Sequence, residues 1–110
     1  MSYLNPKDVT APRDQWEYIA TIYDNGEHDH SVVLGTWEGS PCLASRWNGC
    51  LESETSKKGN PISSFQPTWF ILPHPIAHAT FRELVVRAAE GDATINKEVL
   101  EQAAVIFSPK

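Results

Sequence analysis

Two residues, Glu38 and Gly39, stand between two runs that each alternate like a β-strand. A connection that short forces an antiparallel hairpin and fixes its register. The runs are 28–37 and 41–48. With Glu38-Gly39 as the loop, Trp37 opposes Ser40, Leu34 opposes Leu43, Val32 opposes Ser45 and His30 opposes Trp47. Side chains alternate between the faces of a strand. Val32, Leu34, Leu43 and Trp47 therefore share one face, and Val33, Trp37, Cys42, Ala44 and Arg46 share the other. Both faces are too apolar to be left to water, so each needs a cover.

The flanking segments suggest where the covers come from. Residues 15–24 read as a further strand, with Trp16, Tyr18, Ala20 and Ile22 on one side and Glu17, Ile19, Thr21 and Tyr23 on the other. Asp24-Asn25-Gly26 is a turn signal. Residues 1–14 are polar, carry Pro6 and Pro12, and read as a flexible arm. Residues 49–67 hold Gly49, Gly59, Pro61 and Pro67 and read as one long loop, with Lys57 and Lys58 near its tip. Residues 68–72 form a short strand ended by Pro73.

Helical spacing takes over after that. Pro75 suits the first turn, with His74 as cap by position, and Ala77, Phe81, Leu84, Val85 and Ala88 form a stripe ending at Gly91. Thr94 or Asn96 caps a second helix with the stripe Val99, Leu100, Ala103, Ala104 and Phe107, stopped by Ser108-Pro109-Lys110. The expected fold is α+β, a small antiparallel sheet of three to five strands packed against two C-terminal helices. It makes one domain over 15–110, in keeping with a chain of 110 residues.

The helices can cover one sheet face. The second is expected to be covered by another copy in a symmetric homodimer with Trp37 near its centre, or by the 49–67 loop anchored through Leu51, Ile62 and Phe65. The net charge of −5 disfavours a nucleic-acid backbone as partner. There is no long apolar run for a membrane and no visible leader, and two cysteines give at most one bridge, so the expected setting is the cytoplasm.

Few residues carry recognisable chemistry. His28 and His30 share a strand face, and His74 and His78 lie four apart on a helix, so the two pairs can contribute to a metal site only if they meet. No His-Glu-x-x-His pattern is present, and the expectation is no metal and no cofactor. Cys42 reads as a buried, inert thiol and Cys50 as an exposed one on the loop. Gly35-x-x-x-Gly39 lacks the Gly-Lys-Ser/Thr that follows in a phosphate loop. Of the four tryptophans, Trp47 and Trp69 read as core, whereas Trp16 and Trp37 are candidates for a binding surface. Arg46-Trp47-Asn48-Gly49 offers a five-donor cation beside an amide. Arg46 either clamps a carboxylate or phosphate, or pairs internally with Glu17 or Glu38. The candidate ligand or partner residues are thus Trp16, Trp37, Arg46, Asn48, Lys57 and Lys58.

The segments Gly35-Thr36-Trp37-Glu38-Gly39, Arg46-Trp47-Asn48-Gly49 and Pro67-Thr68-Trp69-Phe70-Ile71-Leu72-Pro73 resemble a loose group of small uncharacterised bacterial proteins carried on mobile elements such as integron cassettes. The resemblance spans about residues 33–85. It implies a bacterial origin and no mechanism.

Three function classes are compatible with these residues. The first is a non-enzymatic binding or accessory protein acting through protein–protein contacts. The second is a small-molecule binder, or a nucleic-acid binder, using Trp37, Arg46 and the 49–67 loop. The third is an enzyme, for which no nucleophile, base and oxyanion donor can be assembled from neighbouring residues. The expectation leans to the first and away from the enzyme.

Overall fold

The computed structural model describes residues 3–107. Three long strands follow one another: β1 (Trp16–Asp24), β2 (His30–Trp37) and β3 (Ser40–Trp47). Glu38 and Gly39 both adopt left-handed backbone, φ 49° and 85°, the conformation a two-residue hairpin turn needs. The β2–β3 register is the expected one, with Trp37 against Ser40, Leu34 against Leu43, Val32 against Ser45 and His30 against Trp47. Two short strands, β4 (Ile62–Ser63) and β5 (Gln66–Pro67), form a separate hairpin, and β6 (Phe70–Ile71) pairs with β3 through Ser45 and Ala44. The main sheet therefore runs β1-β2-β3-β6, all antiparallel. Helices α1 (His74–Ala89) and α2 (Lys97–Phe107) follow. This is the expected α+β class, a four-stranded sheet and a two-stranded one with two C-terminal helices.

The helices close as their sequences direct. At the end of α1 the Gly91 N–H bonds to the Ala88 carbonyl at 3.1 Å and the Asp92 N–H to the Arg87 carbonyl at 3.0 Å, with Gly91 at φ 90°. Asn96 caps α2, its Oδ1 accepting from the Glu98 and Val99 amides at 3.1 and 3.2 Å. α1 begins at His74 itself, with Pro73 in the capping position, one residue earlier than expected. Val85, expected in the buried stripe, is exposed, while Ala77, Phe81 and Leu84 are buried. The side chain of Phe107 and the expected stop at Ser108-Pro109-Lys110 lie outside the described residues.

Both helices pack on the face that carries Val32, Leu34 and Leu43, and Ile22, Tyr23, Phe81, Leu84, Val99 and Leu100 complete that core. β1 departs from simple alternation. Its register shifts between Tyr18 and Ala20 and again between Thr21 and Tyr23. A bulge adds a residue and moves the rest of the strand to the other face. Tyr18 thus packs with Trp16 on the second face, whereas Ala20 and Ile22 pack under the helices.

Within the chain, the second face is covered by the N-terminal segment and not by the 49–67 loop. A single 3-10 turn, Pro6–Asp8, leads into Val9, which is buried against Trp16, Val33, Ala44 and Trp69. The Trp69 indole N–H donates to the Val9 carbonyl at 2.7 Å, the Trp69 amide donates to the Ala11 carbonyl at 3.1 Å, and Ala11 bridges Thr68. Residues 4–12, read from sequence as an arm, are thereby tied down over this face. Leu51, Ile62 and Phe65 are exposed, so the loop does not act as a lid. The chain's own N-terminal segment thus covers part of this face, with Trp37 and Cys42 left partly buried.

Residues 49–67 are also more structured than a bare loop. The Cys50 and Gly59 amides both bond to the Ser56 carbonyl at 3.1 Å, and Trp47 and Asn60 exchange backbone hydrogen bonds at 2.7 and 3.1 Å. The two glycines are where the chain doubles back. A Cβ at Gly59 would lie 2.1 Å from the Trp47 carbonyl oxygen, and Gly59 itself has φ 69°.

Candidate binding cleft

The sheet parity that buries Val32, Leu34 and Leu43 under the helices also places His30, Ser45, Trp47 and Phe70 on that same face. The chain leaves β6 toward Leu43, where the Leu72 amide bonds to the Leu43 carbonyl at 3.0 Å, and α1 starts immediately beyond. The opposite end of the face is left bare. Trp47 is 52% exposed and Phe70 55%, and with His30, Ser45, Arg46, Asn60 and Pro61 they line a cleft of about 400 Å³. That volume lies within the range of small-molecule sites.

His30 is held from several sides. Its Nδ1 lies 2.8 Å from Asp29 Oδ1, and its ring packs at 5.0 Å from the Tyr23 ring centroid and 5.6 Å from that of Trp47. The His30 backbone N–H, its ring and the Asn25 amide all donate to Asp29, which holds that carboxyl below the usual carboxylate range. Asp29 engages the Nδ1 side of the ring and so leaves Nε2 as the ring nitrogen without a partner among the described residues.

Asn60 contributes differently. Its backbone is committed to Trp47, while its exposed side-chain amide makes no hydrogen bond among the described residues and offers a donor and an acceptor side by side.

Arg46 is only 3% exposed. Its Nε donates to the Thr68 carbonyl at 3.1 Å and its Nη2 donates to the Lys58 carbonyl, so the guanidinium straps the 49–67 segment to the sheet. It pairs with neither Glu17 nor Glu38, and its Nη1 is buried without a partner. Burial lowers its pKa to about 10, which still leaves it charged at neutral pH.

Asn48, expected near a ligand, is 1% exposed. Its amide nitrogen donates to Asp24 Oδ1 at 3.1 Å and to the Gly26 carbonyl at 2.7 Å, and its oxygen accepts from Ser31 Oγ at 2.7 Å. It locks the Asp24-Asn25-Gly26 turn against β3. Of the tryptophans, Trp69 is buried as expected. Trp16 is buried rather than at the surface, and Trp47 is exposed rather than in the core. Trp37 is half-buried in the second-face cluster. Lys57 and Lys58 are exposed on the loop, where Lys58 Nζ donates to the Phe65 carbonyl at 2.6 Å.

The histidine pairs do not assemble into a common ligand set among the described residues. His74 and His78 face each other on α1 with ring centroids 4.7 Å apart. The three side chains that do converge are Glu27, Cys50 and Glu52, whose donor atoms lie within 4.8 Å of one another. Cys50 is buried, contrary to expectation, and its thiol donates to Glu27 Oε2 at 3.4 Å. Cys42, in β3, and Cys50, three residues beyond its end, are both free thiols.

Sequence reasoning missed Asn60, Pro61 and Phe70 as cleft residues. Their placement depends on β6 pairing with β3 and on the Trp47–Asn60 bridge, which join segments separated by a loop and leave no local signal. Comparison with family models, with curated proteins and with solved structures gives no match for this chain.

Proposed function

We propose that this protein is a non-enzymatic binding module that holds a small, flat organic molecule in the cleft rimmed by Trp47 and Phe70. The carrying observation is the pair of half-exposed aromatic rings on one bare end of a sheet face. Exposed aromatics in a concave setting bind flat ligands by stacking, at about 1–3 kcal/mol per ring for nucleobases. This takes up the small-molecule reading of the 49–67 region, with Trp47 in the place expected of Trp37 and with Arg46 as the strap that positions the loop rather than as the clamp.

A protein partner is the second reading, favoured by Phe65. It is 83% exposed at the tip of the β4–β5 hairpin, in left-handed backbone that presents it outward. The homodimer belongs to this reading, with Phe65 rather than Trp37 as the contact it would need. Two free thiols and the lack, among the described residues, of any helix long and apolar enough to cross a membrane support placing the protein in the cytoplasm. Carriage on a bacterial mobile element rests on the three resemblance segments alone.

Intrinsic fluorescence separates the two readings. Trp16 and Trp69 are buried, so a ligand in the cleft quenches chiefly Trp47. A panel of flat aromatic compounds at millimolar concentration is expected to contain quenchers whose effect vanishes in Trp47→Phe and weakens in Phe70→Ala. A panel without such a compound overturns the cleft reading.

A further inference from the structure

The polar groups of the cleft narrow the ligand class, and the inference rests on the cleft reading above. We propose that the ligand is an uncharged planar nitrogen heterocycle of the nucleobase type, taken as the free base or its nucleoside.

Three features point there. Trp47 and Phe70 supply two half-exposed aromatic rings on one side of the sheet. The Asn60 amide supplies a donor and an acceptor side by side, the pattern that matches the paired donor and acceptor edge of a base. Asp29 occupies His30 Nδ1, so Nε2 is the ring nitrogen left to hydrogen-bond a polar edge of the ligand. A plain aromatic hydrocarbon would leave the Asn60 and His30 groups unmatched as it displaced their water, at a cost in affinity. A heterocycle satisfies them.

The same residues disfavour a phosphate on the ligand. Among the described residues that line the cleft, Arg46 is the one Lys or Arg, but its side chain lies on the opposite sheet face, with Nε and Nη2 bonded to the Thr68 and Lys58 carbonyls and Nη1 buried. Lys58 Nζ is drawn away to the Phe65 carbonyl. Asp29, beside the cleft, repels an anion, and the chain carries a net charge of −5. A nucleotide or a nucleic-acid strand would bring phosphate with no free Lys or Arg to receive it among the described cleft residues.

The test is a titration of the full chain followed by NMR, reading the Trp47 indole N–H and the Asn60 side-chain amide. The probes are adenine, guanine, cytosine and uracil, the matching nucleosides and monophosphates, a short single-stranded oligonucleotide, and naphthalene as a flat apolar control. At least one base or nucleoside is expected to shift both signals and to bind more tightly than its monophosphate and than naphthalene. Asn60→Ala is expected to weaken that base about tenfold and to leave naphthalene unchanged. Asn60→Asp keeps the size and acceptor while removing the donor, and serves if the alanine variant is unfolded. Bases that bind no better than naphthalene, or that are indifferent to both Asn60 variants, overturn the heterocycle while leaving the cleft reading in place. Tighter binding of the monophosphate or the oligonucleotide overturns it as well. If no probe moves the Trp47 signal, the cleft reading itself fails and the inference falls with it.

Discussion

The indole of Trp16 lies over Gly35 on the neighbouring strand, so closely that a Cβ on Gly35 would sit 2.2 Å from the Trp16 Cη2 atom and 2.5 Å from the Glu17 carbonyl oxygen. Trp16 in turn packs on Trp69 with ring centroids 5.9 Å apart. The backbone of a strand is therefore part of an aromatic core, and a hydrogen in place of a side chain is what lets the ring in. Gly35→Ala is expected to destabilise the fold by about 1–3 kcal/mol, the cost of overpacking a filled site. Urea unfolding followed by circular dichroism measures it. An unchanged midpoint would mean that Trp16 can move aside freely.

Trp37 belongs to the same cluster and is half-buried there. Trp37→Ala is expected to lower stability by about 2–4 kcal/mol through lost burial and to leave the sedimentation coefficient of the folded protein unchanged. A variant that loses mass by sedimentation at unchanged stability would put Trp37 in an interface between copies.

Trypsin is expected to cut first after Lys57. Both loop lysines are exposed, but the carbonyl of the Lys58–Gly59 bond is held by Arg46 and the Lys58 ammonium by Phe65. A protease needs a segment of backbone that can leave its hydrogen bonds. Mass spectrometry of the earliest fragments reads the choice. Prior cleavage after Lys58 or inside α1 would show that the strap from Arg46 does not order this turn.

Burial pushes the Cys42 thiol up to about 11. The thiolate is the reactive form, and at pH 8 only about a thousandth of Cys42 is deprotonated, rising about tenfold per pH unit. Iodoacetamide at pH 8 is expected to leave the Cys42 peptide unlabelled in the native protein and to label it in denaturant. Labelling of native Cys42 at the rate of a free thiol would contradict its burial.

The residues that sequence reasoning placed well are those governed by near neighbours. The Glu38-Gly39 turn dictated the β2–β3 register pair by pair, Asn96 capped α2, and Gly91 closed α1. β1 was placed as a strand, yet its two bulges, which carry Ala20 and Ile22 to the helix side, have no local marker. The candidate site was less legible. Arg46 and Asn48 were singled out as unusual, and both are, but as internal fasteners. Trp47 was assigned to the core by its size and by a face that is otherwise apolar.

What the sequence by itself determined is the set of contacts made across a tight turn or along a single helix, where a few residues settle both partners. What only the tertiary structure decided is which distant segment comes to rest where. Val9 and Trp69, 60 positions apart in a single hydrogen bond, help cover the second sheet face. The path of the chain from β6 into α1 leaves Trp47 and Phe70 bare. Apolar surface is non-directional in what it attracts. A sequence therefore shows that a face must be covered, while the choice among arm, loop, helix and second copy depends on the competition of whole segments for the same surface.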